Sequence, residues 1–359
     1  MSFTPPKANR GLYVDANCNF FVRDTSSPLQ VGNNELVIEN IYSGVNPADT
    51  KHASILGIRA TTLGYDFCGR VLSSPPGSRF KQGDVVAGLT PSGLGRAEKY
   101  GTHQDYLICP EDMAFKVPDN LPEAHAASLP VVALVAADAI FNFFKFPLPG
   151  SNDAFVQQRP ILIWGGSSSA GLCAVQFARA SGCRNILVTA SPARHDMLRS
   201  LGATHVFDYK SPTVVDDILL TVKALDQGPI GHAFDAVCAV EPTPSADLVS
   251  QCVKDPAAIL VGITILKDER FKLPFSLAKD DWTIHLKGHP NPITIPARPD
   301  DYWKSWSALQ WAVDNYGEGF ELPHVEVLEG SAEDVLREVI QVGNLTRGFG
   351  KIVARHPLR

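Results

Sequence analysis

The sequence has no C-x-x-C motif, no run of basic residues and no stretch of the roughly 18 consecutive apolar residues that a membrane span needs. Its seven cysteines are odd in number and scattered, which argues against a disulfide framework and a zinc ribbon and favours reduced cytoplasmic thiols. A formal net charge of −6 without a basic run argues against nucleic acid as a partner. We therefore expect a cytoplasmic protein that binds neither nucleic acid nor membrane.

The sequence is long enough for two globular domains, since it has 359 residues. Of these, 45% are hydrophobic and 19% are charged, which is typical of a globular protein. Residues 1–125 are rich in strand and turn signals: residues 35–42 alternate at period two, and residues 69–72 and 81–88 combine short apolar runs with turn residues. From Glu123 to Phe144 apolar residues recur at helical spacing. The first part is therefore expected to be an irregular, barrel-like β domain that leads through a helix into a second domain.

Helix and strand signals alternate after Tyr209, which predicts a parallel sheet covered on both faces. The expected elements are a helix at 214–225, a strand at 233–240, a helix at 245–253 and a strand at 258–263. The proline-rich run after Thr264 is expected to be an irregular loop over the site. Residues 301–316 are expected to form a helix with Trp303, Trp306, Leu309 and Val313 on one side.

The most informative stretch runs from Ile161 to Tyr209 and begins as a strand, a tight turn and a helix. Gly166, Ser168 and Gly171 occupy the three places of a G-x-G-x-x-G fingerprint, with serine in the middle place. This pattern lets backbone N–H groups at a helix N-terminus approach a pyrophosphate. The residues predicted to bind a dinucleotide here are Gly165, Gly166, Ser168, Ser169, Ala170 and Gly171.

The end of the second strand of this stretch favours NADPH over NADH. An NAD-dependent fold places an acid there to bind the ribose 2′-hydroxyl, whereas this chain has Ser191, Pro192, Ala193 and Arg194. Arg194 and Ser191 suit a 2′-phosphate, and Tyr209 suits the adenine side. The alternatives are a solvated charge for Arg194 and a half-buried strand end for Tyr209.

Several segments taken together resemble the medium-chain dehydrogenase/reductase superfamily. They are VNPADTK (45–51), LGYDFCGRV (63–71), KQGDVVAG (81–88), the glycine turn after Trp164, SLGATHVFDY (200–209) and RGFGKIV (347–353). Within the superfamily the chain looks most like the zinc-independent quinone-reductase branch, and closest to the fungal trans-acting enoyl reductases of polyketide biosynthesis, of the lovastatin type. FPLPG (146–150) and SPARHDMLRSLGATHVFDYKSP (191–212) carry the narrower likeness.

The resemblance implies an α/β fold with two domains. A GroES-like, β-rich catalytic domain would comprise residues 1–130 and 286–359, and a doubly wound parallel-sheet (Rossmann) domain that binds NADPH would comprise residues 131–285. It also implies that Asn46, Gly262 and Phe349 contribute to cofactor binding. The implied partner is a polyketide synthase that presents a carrier-bound substrate to a monomer or homodimer of this chain.

The metal ligands of the alcohol-dehydrogenase branch are missing. Asn46 stands where that branch has a cysteine, and Tyr65-Asp66 stands where it has a His-Glu pair. An amide and a phenol are poor ligands for Zn²⁺, and the region that would hold a structural zinc offers only Cys109. No metal is therefore expected. The histidines show no H-x-x-x-H pattern and are expected to be polar residues of the surface or a cleft.

Without a metal, side chains must stabilise the negative charge that hydride transfer places on the substrate carbonyl oxygen. Lys51 is the predicted catalytic cation, and the alternative is a solvated loop lysine. Asn46 and Asp49 are expected to orient the loop and the nicotinamide ribose, while Tyr65 suits either the cleft or packing. Val135 stands where relatives usually have a threonine whose hydroxyl approaches the nicotinamide.

Three functions remain open from the sequence. The first is an NADPH-dependent enoyl reductase that acts on a carrier-bound polyketide chain. The second is a stand-alone NADPH-dependent reductase of small quinones or alkenals. The third is a cofactor-binding protein that shapes a polyketide intermediate without redox chemistry.

Overall fold

The chain folds into two compact units, and the computed structural model describes residues 9–25, 30–151, 158–274 and 279–359. The first unit draws on the ranges Met1–Val131, Asp280–Ala297 and Pro323–Arg359, and the second on Val132–Lys279 and Arg298–Leu322, each through its described residues. None of the helices in these described ranges has the length and apolar character that crossing a membrane requires.

The N-terminal part of the first unit consists mainly of short strands. In chain order its elements are β1 (Asn9–Val14), β2 (Phe20–Thr25), β3 (Glu35–Val45), α1 (Ala48–Ile55), β4 (Thr61–Thr62), β5 (Asp66–Ser73), β6 (Val85–Leu89), β7 (Tyr106–Pro110), β8 (Ala114–Lys116) and α2 (Glu123–Ala126). β3 is the central strand, since it pairs antiparallel with both β5 and β7. β1 pairs antiparallel with β2 and β4 in a separate three-stranded sheet.

The middle of the chain alternates helix and strand. Its elements are α3 (Pro130–Ala137), a π-helical segment (Asp138–Phe143), β9 (Ile161–Trp164), α4 (Ser169–Ala180), β10 (Ile186–Ala190), α5 (His195–Leu201), β11 (His205–Asp208), α6 (Val214–Leu225), β12 (His232–Asp235), α7 (Ser245–Cys252), β13 (Ile259–Gly262) and β14 (Phe271–Lys272). These strands form one parallel sheet in the order β11-β10-β9-β12-β13-β14. This is the doubly wound order of dinucleotide-binding folds, as expected from the sequence.

Central position in this sheet explains the composition of β9. All four residues of β9, Ile-Leu-Ile-Trp, are buried because β10 and β12 flank the strand and helices cover the sheet. On one side Leu162 and Trp164 pack with Leu187, Ile218 and Val249. The carboxyl end of β9 is thereby fixed next to the carboxyl ends of β10 and β12.

The C-terminal part supplies elements to both units. They are β15 (Trp282–Ile284), β16 (Ile293–Ile295), α8 (Pro299–Asp314), β17 (Val325–Leu328), α9 (Ala332–Gly343) and β18 (Lys351–Arg355). β18 pairs antiparallel with β3 and parallel with β17, so the end of the chain completes the seven-stranded sheet of the first unit. Val335 and Val339 of α9 pack against Leu12, Val14 and Val45 in the core of that unit.

The expectation of an irregular loop after Thr264 is wrong. β14 extends the parallel sheet, and β15 and β16 form an antiparallel pair in the first unit. The prolines flank these elements: Pro290 and Pro292 lie between β15 and β16, and Pro299 is the first residue of α8. Proline is compatible with turns and with the first turn of a helix, where no N–H is required. Residues 275–278 lie outside the described residues.

α8 belongs to the second unit, whereas the sequence-based division assigned residues 286–359 to the first domain. Arg298 donates to both carboxylate oxygens of the fully buried Asp138, at 2.8 and 3.1 Å. Asn142 donates to Ser305 Oγ at 3.0 Å. Ser305 is fully buried, whereas Trp303 on α8 is 45% exposed.

Candidate active site and cofactor site

The turn between β9 and α4 has the geometry that close approach of a phosphate requires. Gly165 has φ +78°, a conformation that residues with a Cβ rarely adopt. A Cβ at Gly171 would overlap the carbonyl oxygen of Gly165, so α4 begins in direct contact with the turn. Gly165, Gly166 and Gly171 therefore permit a tight passage from the end of β9 into α4.

Ser168 is the N-cap of α4. Its Oγ accepts a hydrogen bond from Gly171 N at 3.1 Å and donates to Ala236 O, just beyond β12, at 3.1 Å. The hydroxyl thus ties α4 to the neighbouring strand end. Ser169 and Ala170 are the first two helical residues, whose N–H groups have no acceptor within a helix. The turn therefore presents N–H donors at the positive end of a helix, which fits the pyrophosphate of a dinucleotide.

The residues predicted to select the cofactor lie after two paired strands. Ala190 at the end of β10 is in register with Asp208 at the end of β11, and Ser191 and Tyr209 follow directly. Arg194 lies in a single 3₁₀ turn, and its backbone N–H donates to Ser191 O at 2.9 Å. Tyr209 directly follows β11 and is 43% exposed. The four residues that directly follow β10, Ser191 to Arg194, include no acid.

Asp235 is a buried acid at the carboxyl end of β12 that the sequence analysis missed. Its carboxylate accepts hydrogen bonds from Ser245 Oγ at 2.6 Å and from Cys238 N at 2.8 Å, while burial raises its pKa. Because Cys238 N bonds to the Asp235 side chain and not to a neighbouring strand, β12 ends at Asp235. The strand expected at 233–240 is therefore too long. Asp235 is also in register with Gly262, the last residue of β13. The sequence signal that could have identified Asp235 is an acid at the end of a short apolar strand.

α1 carries the predicted catalytic lysine in the first unit. Lys51 is partly buried, and burial lowers the pKa of its ammonium group. Within the described residues no carboxylate forms an ion pair with Lys51. Its cation is therefore not neutralised within this unit and is suited to bind a developing negative charge.

Beside Lys51, a neutral pair is formed by His52 and Tyr65. The Tyr65 hydroxyl lies 2.9 Å from His52 Nδ1, and the two rings meet edge-on. Burial lowers the pKa of His52 to about 4, with a further lowering by the charge of Arg96 and an opposing effect of Asp49. Burial also raises the pKa of Tyr65. At neutral pH the pair is therefore a neutral imidazole hydrogen-bonded to a neutral phenol.

Arg96 is a buried cation that the sequence analysis also missed. Its guanidinium lies 4.4 Å from the centroid of the Tyr65 ring. Its hydrogen-bond acceptors are neutral oxygens, including Thr62 O at 3.1 Å, Tyr100 O at 2.7 Å and Thr90 Oγ1 at 3.0 Å. Gly93 and Gly95 precede Arg96, so the local sequence indicates a loop and gives no sign that the guanidinium is buried.

Asn46 lies in a buried cluster with Asp66 and Lys351. Its Nδ2 donates to Asp66 Oδ2 at 2.9 Å, and its Oδ1 accepts from Lys351 Nζ, which also lies 3.5 Å from Asp66. Burial raises the pKa of Asp66 to about 6, against the lowering effects of Lys351 and Asn46. Both ends of the Asn46 amide are engaged within the first unit, and its side chain is nearly inaccessible.

The expectation that histidines are surface or cleft residues is wrong for His103, whereas His356 is buried but lines a pocket. His103 is fully buried and His356 is 7% exposed. Both make side-chain hydrogen bonds to Ser43, at 2.8 and 2.9 Å. Their partners are far away in sequence, so spacing within the chain gave no signal.

The predicted cofactor residues and the predicted catalytic Lys51 divide between the two units. Gly165 to Gly171, Ser191, Arg194, Tyr209 and Gly262 lie at the carboxyl ends of the parallel strands of the second unit. Asn46, Lys51 and Phe349 belong to the first unit, where the Phe349 ring stacks on His324. Val135 is the partly exposed residue in the otherwise buried run from Val132 to Ala139.

Zinc content can be tested directly. Among the described residues, no group of three or more His, Cys, Asp or Glu side chains is arranged to hold a metal ion. Asn46 is bound to Asp66 and Lys351, and Tyr65 to His52, so neither is a good donor to Zn²⁺. We expect well under one zinc per purified chain by elemental analysis and unchanged activity after chelator treatment. Stoichiometric zinc that chelators remove together with activity would contradict this.

Comparison with known proteins identifies both parts of the chain. The family model described as the alcohol dehydrogenase GroES-like domain matches residues 32–119, and the model described as zinc-binding dehydrogenase matches residues 170–281. Among solved structures, a quinone oxidoreductase from Pseudomonas syringae superposes with a TM-score of 0.69 at 18% identity over 97% of this chain and 99% of that one. The CurK enoyl reductase superposes with a TM-score of 0.68 at 19% identity over the same shares. These structural likenesses establish the fold.

Curated relatives give a narrower likeness. The trans-enoyl reductase himH of Aspergillus japonicus is 37% identical over 188 residues, 51% of this chain and 54% of the relative. The dehydrogenase azaJ of Aspergillus niger is 36% identical over 44% of this chain and 45% of the relative, and the trans-enoyl reductase mpsG of Macrophomina phaseolina is 30% identical over 56% of each. The matched part of the chain thus spans about half the length of these relatives.

Proposed function

Because this chain belongs to the medium-chain dehydrogenase/reductase superfamily, we propose that it is a trans-acting enoyl reductase. In this proposal it transfers hydride from NADPH to the β-carbon of an α,β-unsaturated thioester on a carrier protein of a polyketide synthase. The superfamily and the doubly wound sheet imply a nicotinamide nucleotide as cofactor. The observation that carries the proposal is the match to relatives named trans-enoyl reductases over about half of each chain.

The second unit supplies most of the proposed cofactor contacts. The N–H groups of Ser169 and Ala170 at the start of α4 would hold the pyrophosphate, with Ser168 fixing the helix end and the glycines allowing close approach. Ser191 and Arg194 would hold the 2′-phosphate, and Tyr209 would cover the adenine. Gly262, at the end of β13, would border the cofactor.

Residues of the first unit would complete binding and activate the substrate. Phe349 is proposed to contact the cofactor, and Asn46 to position the β3–α1 turn through its bonds to Asp66 and Lys351. When bound, the nicotinamide supplies the hydride. Lys51 would then stabilise the negative charge on the thioester oxygen. At Val135 a methyl group stands where a hydroxyl would otherwise approach the nicotinamide.

The substrate can be tested with a carrier-bound enoyl chain. Incubation of the purified protein with the carrier-bound enoyl thioester and NADPH should raise the mass of the chain by two hydrogens while NADPH is consumed. Free crotonyl thioester and small quinones serve as controls and should react far more slowly. Equal or faster reduction of the free substrates would support a stand-alone quinone or alkenal reductase. Product formation by the synthase that needs this protein but consumes no NADPH would support a redox-neutral role.

The preference for NADPH should depend on Arg194. Loss of one charge-assisted contact to phosphate costs about 1.5 to 3 kcal/mol, so Arg194→Ala should weaken NADPH binding by at least about tenfold and leave NADH binding nearly unchanged. Calorimetry on the protein without substrate measures both constants. Arg199→Ala is the control, since Arg199 is an exposed arginine that pairs with Asp196 on α5. Equal affinities of the native protein for the two nucleotides would contradict the prediction.

Lys51 should matter for turnover and not for cofactor binding. Lys51→Met keeps most of the side-chain stem and removes the charge. Turnover of the carrier-bound enoyl chain should fall by about 10²-fold, as for loss of one donor to an oxyanion, while NADPH affinity should stay within about twofold. Lys81→Met, at an exposed lysine of the turn before β6, is the matched control. Native turnover by Lys51→Met would show that the charge of Lys51 is dispensable and leave activation to other donors, such as Tyr65.

A further inference from the structure

Five polar side chains form a continuous chain of hydrogen-bond contacts through the first unit. His103 Nε2 lies 3.0 Å from Asp49 Oδ2, and His103 Nδ1 lies 2.8 Å from Ser43 Oγ. His356 Nε2 lies 2.9 Å from the same Ser43 Oγ, and His356 Nδ1 lies 3.0 Å from Asp105 Oδ1. Ser43 and the side chains of both histidines are fully buried, so bulk water does not satisfy these groups.

The number of protons in this chain follows from its chemistry. Each hydrogen bond needs one proton, so the four contacts need four. Two ionised carboxylates supply none, two neutral imidazoles supply one each, and the Ser43 hydroxyl supplies one. With only these three protons, one contact would bring two lone pairs together at hydrogen-bond distance. A buried arrangement of this kind is unfavourable, so the chain requires a fourth proton.

The surroundings indicate which groups hold the fourth proton. Asp49 Oδ2 also accepts from Asn46 N at 2.7 Å, and Asp105 Oδ1 also accepts from Leu358 N at 2.7 Å, so each of these carboxylate oxygens has a backbone donor besides its histidine. Burial lowers the pKa of His356, against the effect of Asp105. The remaining base is His103, whose imidazolium form would contact the Asp49 carboxylate directly.

The two ends of the chain differ in access. Asp105 and His356 line a pocket of about 340 Å³ together with Glu39, Arg70, Tyr106 and Glu123. At the other end, Asp49 Oδ1 is buried and has no hydrogen-bond partner among the described residues. Asp49 lies two residues before Lys51 on α1, and Asp66, Lys351, His52 and Arg96 are the other titratable or charged groups around it.

We propose that this hydrogen-bonded chain stores one proton and relays it from the pocket to the N-terminal half of α1, which carries Lys51. Its members are Asp49, His103, Ser43, His356 and Asp105. The relay rests on the proposed function: reduction of an enoyl thioester consumes one hydride and one proton, and the proton goes to the α-carbon. The store releases its fourth proton at Asp49 and takes another from water in the pocket through Asp105 and His356. The hydroxide left in the pocket is neutralised by the solvent buffer.

Removal of the Ser43 hydroxyl tests the store without any substrate. In Ser43→Ala the chain separates into two Asp–His pairs, each satisfied by one neutral imidazole, so the fourth proton is no longer required. NMR of protein with ¹⁵N-labelled histidine and ¹³C-labelled aspartate should show one imidazolium at pH 7 in the native protein and none from this pair in Ser43→Ala. Ser128→Ala, which removes another fully buried hydroxyl of the first unit, is the control and should retain the imidazolium.

Kinetics test the relay. Ser43→Ala should reduce turnover of the carrier-bound enoyl chain by about 10²-fold, the lower edge of the range for loss of proton transfer, and should change the solvent deuterium isotope effect. NADPH affinity should not change, and Ser128→Ala should behave like the native protein. If NMR of the native protein shows both imidazoles neutral and both Asp49 and Asp105 ionised, the chain holds no fourth proton and the proposal is wrong. Native turnover with an unchanged isotope effect in Ser43→Ala would overturn the relay.

The two proposals fail separately. If the native protein does not reduce the carrier-bound chain, the proposed function is wrong and the relay to an enolate is wrong with it. The NMR measurement then still decides whether the store exists, because it needs neither substrate nor cofactor.

Discussion

The hydrogen bond from Asn46 N to Asp49 Oδ2, 2.7 Å long, closes the turn between β3 and α1, and the polar interior of the first unit depends on it. On one side of the turn, Asn46 joins Asp66 and Lys351; on the other, Asp49 joins His103. Buried charges are stable only when paired and hydrogen-bonded, so a shift of this turn would leave both groups unsatisfied. The same turn starts the helix that carries Lys51.

The cofactor site proposed for the second unit is simpler, since it is made mostly of backbone groups. The order of its strands brings the ends of β9 and β12 together, and Ser168 and Asp235 hold the loops that leave them. Donors that belong to the backbone depend little on side-chain identity. A fingerprint with serine in the middle place can therefore build the same kind of helix terminus as one with glycine.

The sequence predicted this second unit well because its signals are local. An apolar run, small residues in a turn and an amphipathic helix each fit within about 20 residues, so the β9–α4 turn and the strand ends at Ser191 and Tyr209 were recognised. The buried polar groups of the first unit could not be predicted in this way. Ser43 and His356 are 313 positions apart, and two acceptors of Arg96, Thr62 O and Gly64 O, lie 34 and 32 positions before it. The prolines after Thr264 led to the wrong prediction of an irregular loop. Their effect depends on whether they lie within a strand or helix or beside it, and this is not evident from the sequence.

The placement of Lys351 and His356 near the end of the chain has a consequence for folding during synthesis. Asp66, Asn46 and Ser43 emerge from the ribosome roughly 300 residues before the partners that satisfy them. The second unit uses no residue beyond Leu322 and has mostly local strand neighbours, so its folding can precede that of the first unit. The second unit could then be folded while Asn46 and Ser43, already bonded to Asp66 and His103, still lack Lys351 and His356.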